Sequence, residues 1–530
     1  MSAHDSVPAR LVNSLPKRVS FFVEVGCGGA QNGGMKFSKY SALILAGAAA
    51  LCGSSLLGAA KQVPDWKKRL PAVHAQFRID CSKLEARPMS LADRKMVVYQ
   101  MFLRMFTPEG TIKAAEKMLP HLKELGVDVI YTCPIVLADD DTDPNFWSER
   151  QKVLGNPKSP YRLKDYFEID PEYGTKDDVK RFVAAAHKYG MRVMFDLVYY
   201  HCGPKAKMIG VDKDFVRRDK DGNIINGRWD FPANNFDNPK LREYLWSNME
   251  YLVREFDIDG FRNDVEYYIP LDFWEEGARR VRKIKPGFLM LAEGLRTRCQ
   301  LEAYDINYSW RFIRSAQKVY RDGMPATEII KAENFIKSLF PKNARWIRAL
   351  ENHDEALDFG MKRPDMAWPD GAYESELFVA FTLDGIPMIY NGVEIADNAP
   401  HSIFSNRDFG KMNINWSMAL TSKGKARFAF LQKLADLRKT LPALVMEWAK
   451  FLDNTAPDSV LSFARTAENQ KLVSVANTKN AAVDVEIDVS SLGANNIFTA
   501  HICRGAEWKM EGGKLKVLLQ PYGFALLELQ

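Results

Sequence analysis

From about Lys95 onward, short apolar runs alternate with longer stretches whose apolar positions recur at helical spacing. "MVVYQMF" leads into "TIKAAEKMLPHLKELG", where Ala114, Met118, Leu119, Leu122 and Leu125 predict a helix. "VDVIYTCPI" follows, then "TKDDVKRFVAAAHKYG", with Thr175 as N-cap, Asp178 three residues on, and Gly190 as the stop. "MRVMFDLVYY" is the next strand and "NPKLREYLWSNMEYLVREF" the next long helix. Strand-like runs recur in "FDIDGFRND", "FLMLAEG", "EAYDINYSW", "RWIRALENHD" and "DGIPMIYNG". Eight strands result, near residues 97, 127, 193, 260, 289, 304, 346 and 386. That many strand–helix units in sequence predict an α/β fold, a (β/α)8 TIM barrel rather than an open doubly wound sheet.

After about residue 445 the period changes. "SVLSFARTA", "KLVSVANTK", "AVDVEIDV", "KLKVLLQ" and "GFALLEL" alternate as strands do, with Glu511-Gly512-Gly513 as one turn signal. We therefore expect a leader over 1–60, an N-terminal segment over 61–94, a barrel over 95–444 and a C-terminal antiparallel, sandwich-like β domain over 445–530. The Asp/Asn/Gly-rich stretch from His201 to about Pro239 reads as an enlarged loop after strand three.

The leader has its own logic. From Met35, "MKFSKYSALILAGAAALCGSSLLGAAKQ" has a basic start, an uncharged apolar run and small residues at Gly58-Ala59-Ala60. This is the layout of a secretory signal, with Met35 as the start of translation and an exported product. The runner-up is a membrane anchor, because Tyr40–Ala60 carries no charge. A lipoprotein site at Cys52 is weaker, since Leu51 is large where a small residue is expected.

Composition changes the picture little. With 46% hydrophobic and 26% charged residues, neither a disordered chain nor a multi-span membrane protein is indicated. The net charge is +6, and half of it comes from residues 1–60. No basic run suggests nucleic acid, and no stable membrane partner is expected. Five cysteines lie beyond the leader, at 81, 133, 202, 299 and 503, without a CxxC or Cys/His cluster that would point to zinc, so no metal ligands are assigned. They read as ordinary buried thiols.

Chemistry collects at the carboxyl ends of the predicted strands, where barrels carry their sites. Asp196 and His201 follow strand three, Arg262 and Asp264 end strand four, Glu293 ends strand five, and His353 and Asp354 end strand seven. Arg262 and Asp264, two residues apart, project from one face of a strand; alone they read equally as a structural ion pair or a functional one. Ionisable groups ending several hydrophobic strands on one rim favour joint function. Carboxylates grouped with an arginine and two histidines suit acetal hydrolysis: one acid attacks the anomeric carbon, another protonates the leaving oxygen.

The segments "DLVYYH", "GFRND", "LAEG" and "ENHD", supported by "YRLKDYFEIDPEYGTKDDVKRFVAAAHKYG" and "GIPMIYNGVE", resemble the α-amylase family of glycoside hydrolases (family 13) from about Val97 to the C-terminus. The resemblance implies Asp264 as nucleophile, Glu293 as general acid and then base, and Asp354 as a transition-state stabiliser that binds sugar hydroxyls. It implies that Arg262 orients Asp264, that Asp196, His201 and His353 line the subsite of the reacting ring, and that Tyr161 stacks on that ring. The product would keep the α configuration.

Departures from the family pattern narrow these expectations. Tyr200 stands where many amylases carry an Asn that helps bind calcium, so no cofactor is certain and that calcium site is in doubt. Tyr267-Tyr268 replace a common Lys-His pair on the acceptor side, and Arg162 replaces an Asp frequent in small-substrate α-glucosidases. The expected function is hydrolysis of α-linked oligo- or polysaccharides such as α-glucans and malto-oligosaccharides. Transglycosylation or isomerisation at the same site remains open, because both share the first half-reaction. A non-catalytic, membrane-anchored relative would need no intact acid–nucleophile pair, and here all three acids are present.

Overall fold

The computed structural model describes residues 79–294, 296–354, 363–406, 408–493 and 496–530. The leader expected over 1–60 lies outside the described residues. Among them, no helix is long and apolar enough to cross a membrane.

Strands β1 (Val98–Met101) and β2 (Val129–Thr132) are followed by a hairpin of β3 (Val136–Ala138) and β4 (Leu163–Ile169). Then come β5 (Arg192–Leu197), β6 (Gly260–Asn263), β7 (Leu289–Ala292), β8 (Ile306–Tyr308), β9 (Trp346–Arg348) and β10 (Ile386–Tyr390). The pair β3–β4 stands apart, and the other eight close a parallel barrel in the order β1-β10-β9-β8-β7-β6-β5-β2. These are the eight strands expected from the apolar runs. Burial on both faces explains why they read as continuous hydrophobic runs without alternation. Gly260 is required where β6 meets β7: a Cβ there would lie 2.8 Å from the Leu289 carbonyl oxygen.

Helices fill the outer layer. Lys176–Lys188 begins with a full capping box, Thr175 and Asp178 each bonding the other's backbone, and buries Val179, Phe182, Val183 and Ala186. The expected helix through "TIKAAEKMLPHLKELG" is instead two, Ile112–Glu116 and Leu119–Leu125. Pro120 explains the break: it lacks the amide proton a continuous helix needs and fits only the first turn of a new one.

Two long connections rise above the carboxyl ends of the strands. One joins β2 to the helix at Lys176 and carries the hairpin and a short helix, Glu149–Leu154. The other, after β5, is the enlarged loop expected from the sequence, held by isolated bridges such as His201–Ala233 and Val216–Asn234. They meet where the Tyr166 hydroxyl donates to the His201 carbonyl (3.2 Å) and the Gly203 amide to the Leu163 carbonyl (2.8 Å).

The C-terminal part is one antiparallel sheet of β11 (Lys450–Phe451), β12 (Val460–Ala467), β13 (Gln470–Asn477), β14 (Val483–Asp488), β15 (Ile497–Glu511) and β16 (Lys514–Leu529). "KLKVLLQ" and "GFALLEL", expected as two strands, are the two halves of β16: the first pairs with β14 and the second with β13. Between them the chain bends at Tyr522, whose φ is +53°, and at Gly523, where a Cβ would lie 2.4 Å from the Gly505 carbonyl oxygen. Leu515, Val517, Leu519, Ala525 and Leu527 pack a separate small core there.

Candidate active site

Arg262 organises the barrel mouth. Its side chain is fully buried, and one guanidinium reaches three acids: Nη1 contacts Asp196 Oδ1 (2.7 Å) and Asp264 Oδ1 (3.0 Å), and Nη2 contacts Glu293 Oε2 (2.7 Å). Asp264 follows β6 and Glu293 follows β7, and the parallel register brings the two strand ends side by side. Two carboxylates gripping opposite nitrogens of one guanidinium lie well within the roughly 10 Å over which both could work on a single glycosidic bond.

Backbone strain secures the pair. Val265 follows Asp264 in the left-handed region (φ +39°, ψ 48°), where a β-branched residue is costly by about 1–3 kcal/mol. That turn aims the Val265 amide at Glu293 Oε2, 2.9 Å away. The Glu266 amide bonds the Glu293 carbonyl (3.2 Å), a second tie between the two strand ends.

One buried cation facing three acids sets the protonation. Burial pushes Asp264 well above the ordinary carboxylate range; Arg262 opposes the shift, and the charges of Glu293 and Asp196 reinforce it. Burial likewise raises Glu293, against Arg262, with the Asp354 charge adding to the rise. Both acids of the pair thus hold a proton more tightly than a free carboxylate does. At Asp354 burial also works upward, but His353, Arg150 and Arg262 outweigh it and hold the acid below its usual range.

Above these groups opens a cavity of about 680 Å³, lined among others by Tyr161, His201, Trp229, Asp264, Tyr267, Glu293, His353 and Asp354. Tyr161 and His353 stack face to face (centroids 5.1 Å, 7° between planes). The His353 Nδ1 lies 2.7 Å from Gln100 Nε2. Burial drives His201 down to about 4, so its ring is neutral at pH 7, with Nε2 bonded to the Tyr161 carbonyl (2.7 Å).

Asp196, expected to line the subsite, sits one layer lower, beside Arg262, which was expected to orient Asp264 and does contact it. Asp196 is buried: Oδ1 holds Arg262, and Oδ2 accepts from the hydroxyls of Tyr131 (2.8 Å) and Tyr161 (2.9 Å). Neither Asp196 nor Arg262 lines the cavity; they hold in place the side chains that do. Sequence reasoning missed Arg150, whose Nη1 contacts Asp354 Oδ1 at 2.8 Å, and also Trp229, Trp310 and Phe404 on the walls. Arg150 comes from the short helix Glu149–Leu154, Trp310 from just past β8, and Trp229 and Phe404 from the connections after β5 and β10. Trp229, with φ +68° in "GRWDF", carried the one usable signal, a large aromatic in a polar loop.

The side chains at the doubtful calcium position do not fit that ion. Tyr200 stacks on Tyr268 (4.8 Å) and offers no amide oxygen, and oxygens in the neighbouring β2 loop already surround the Arg162 guanidinium. Among the described residues, no three His, Cys, Asp or Glu side chains converge as a metal site. Four of the five cysteines beyond the leader are buried thiols, and Cys503 is exposed.

Residues 84–220 match the model of the α-amylase catalytic domain, and residues 449–526 that of the maltogenic amylase C-terminal domain. A cyclomaltodextrinase of Geobacillus thermopakistaniensis is 26% identical over 453 residues, covering 79% of this chain and 70% of the relative. The α-amylase MalA of Haloarcula japonica is 26% identical over 426 residues, covering 75% of this chain but only 58% of its own. In structure, the noncanonic maltogenic α-amylase AmyB of Thermotoga neapolitana superposes with a TM-score of 0.70 at 24% identity, covering 82% of this chain and 99% of that one.

Proposed function

The chain belongs to the α-amylase family of glycoside hydrolases (family 13), and from that premise we propose that it cleaves α-glucosidic bonds in malto-oligosaccharides and related α-glucans with retention. Asp264 attacks the anomeric carbon as Glu293 gives its proton to the departing oxygen; the glycosidic bond breaks and an ester to Asp264 forms. Water then enters, Glu293 takes its proton, and the ester is released as the α-anomer. Asp354, ionised and partly exposed, holds hydroxyls of the reacting ring, while Tyr161 and His353 provide its flat wall.

The observation that carries this reading is the single guanidinium shared by Asp264 and Glu293, with the charge of Asp354 adding to the rise of Glu293. The cavity volume lies in the ordinary small-ligand range, which suits the end or a short stretch of a glucan. A panel of maltoheptaose, cyclodextrin, starch, pullulan and maltose tests it. Release of α-anomeric products from at least one is expected; inversion, or inertness on all, would overturn it.

One observation favours a second outcome at the same site, transfer to a sugar acceptor. Tyr267 and Trp229 line the same cavity as Glu293 and Asp264 and offer it two aromatic side chains. Aromatic faces there favour a second sugar over water. Oligosaccharides longer than the substrate, appearing early, would mark transfer. The apolar leader supports export, with synthesis beginning at Met35; N-terminal sequencing of the mature protein tests that placement.

A further inference from the structure

The connection between β2 and the helix at Lys176 closes around one fully buried side chain, Arg162. Nη1 donates to the Phe146 carbonyl at 2.7 Å. Nη2 faces the carbonyls of Asp141 (2.7 Å), Pro157 (2.7 Å) and Asp139 (3.3 Å). The Asp139 carboxylate lies 3.7 Å from the same nitrogen and is itself fixed by the amides of Asp141 and Lys205, each at 2.7 Å. Gly203 leaves room for that carboxylate, because a Cβ would overlap it at 2.1 Å. Four carbonyl oxygens and one carboxylate around a single positive charge form the kind of oxygen shell a hard divalent ion collects.

We propose that Arg162 is the resident cation of this loop, a positioning residue that does covalently what a bound metal ion would otherwise do, so that folding of the site needs no calcium. Phe146 and Pro157 flank the helix Glu149–Leu154 on either side. Holding both carbonyls fixes that helix, and with it Arg150 against Asp354. Gln151 adds bonds to the carbonyls of Asn156 (2.7 Å) and Pro157 (3.0 Å). Tyr161, next to Arg162 in sequence, reaches Asp196 and stacks on His353. The guanidinium therefore acts on the sugar pocket through two neighbours without lining it.

The proposal rests on the glycosidase reading only for its kinetic readout; melting and proteolysis test it alone. Wild-type protein dialysed against a chelator should melt, resist protease and turn over as it does in millimolar calcium. Arg162→Met should expose the stretch between Cys133 and Gly174 to limited proteolysis and lower kcat/KM by about 100-fold, the usual effect of a 1 Å misplacement near the chemistry. Arg162→Lys, which keeps the charge but cannot span the carbonyls, should show the same effects more weakly in a folded protein. Adding Arg150→Ala to Arg162→Met should cost less than Arg150→Ala costs alone. Calcium-restored melting or activity after chelation would overturn the proposal, and so would a protected loop and unchanged kcat/KM in both Arg162 variants.

Discussion

Arg162 secures the loop, and Arg262 the charge of the proposed nucleophile. Arg262→Lys keeps a positive charge but removes the fork that meets Asp196 at 2.7 Å, Asp264 at 3.0 Å and Glu293 at 2.7 Å. An ammonium is a single point on a flexible stem and cannot serve acids on opposite sides of a planar group. Each contact of about 3 Å is worth about 5 kcal/mol at an effective dielectric of about 20, before lost hydration is set against it. What survives as a pKa effect of an adjacent arginine on an aspartate is about 1–3 units. Lysine keeps part of that attraction, so Asp264, already raised by burial, should climb by only a part of it, about 1 unit. The acid limb of kcat/KM against pH should move upward by about 1 pH unit, which removes about tenfold of the rate below the limb. The assay is the pH profile on an aryl α-maltoside, with circular dichroism to confirm the fold. A folded Arg262→Lys enzyme with the wild-type acid limb would refute the idea that this guanidinium keeps Asp264 ionised.

Other expectations follow from the same geometry. Glu293→Gln should lose about 10²–10⁴-fold in kcat on maltosides yet recover much of it on substrates whose leaving group needs no proton. In the wild type, activity should persist above the ordinary carboxylate range and fall as Glu293, raised by burial, gives up its proton at higher pH. Trp229→Ala and Tyr267→Ala should reduce transfer products more than hydrolysis, read from the product ratio on maltoheptaose. Away from the site, Asp384 lies 2.7 Å from both Lys337 and Arg348; burial works against its charge, but those cations hold it far below its usual range. Asp384→Asn should cost about 3–5 kcal/mol by urea denaturation at neutral pH. A depressed acid stabilises above its unfolded value, so the gap from wild type should narrow as pH drops below about 4.

The barrel was legible because each buried strand is a short apolar run, and its chemistry because carboxylates punctuate the ends of those runs. Direction was less legible than position. Asp196 ends such a run as clearly as Glu293 does, yet its oxygens turn to Arg262, Tyr131 and Tyr161 below the cavity. Arg150 sits in "SERQKV", where nothing local separates it from a solvated helix residue; only the closure of the β2 loop brings it to Asp354. β16 reads as two strands because Pro521 and Gly523 mimic a turn, while its partner β15 interleaves half-buried and exposed residues and presents no apolar run.

The most direct measurement is peptide mass spectrometry after inactivation with a fluorinated α-glucosyl fluoride that traps the covalent stage. One sugar should appear on the peptide carrying Asp264, and none on Asp264→Asn protein that is still folded. A sugar attached to a different acid, or an active enzyme that never becomes labelled, would contradict Asp264 as the nucleophile and the retaining reaction built on it.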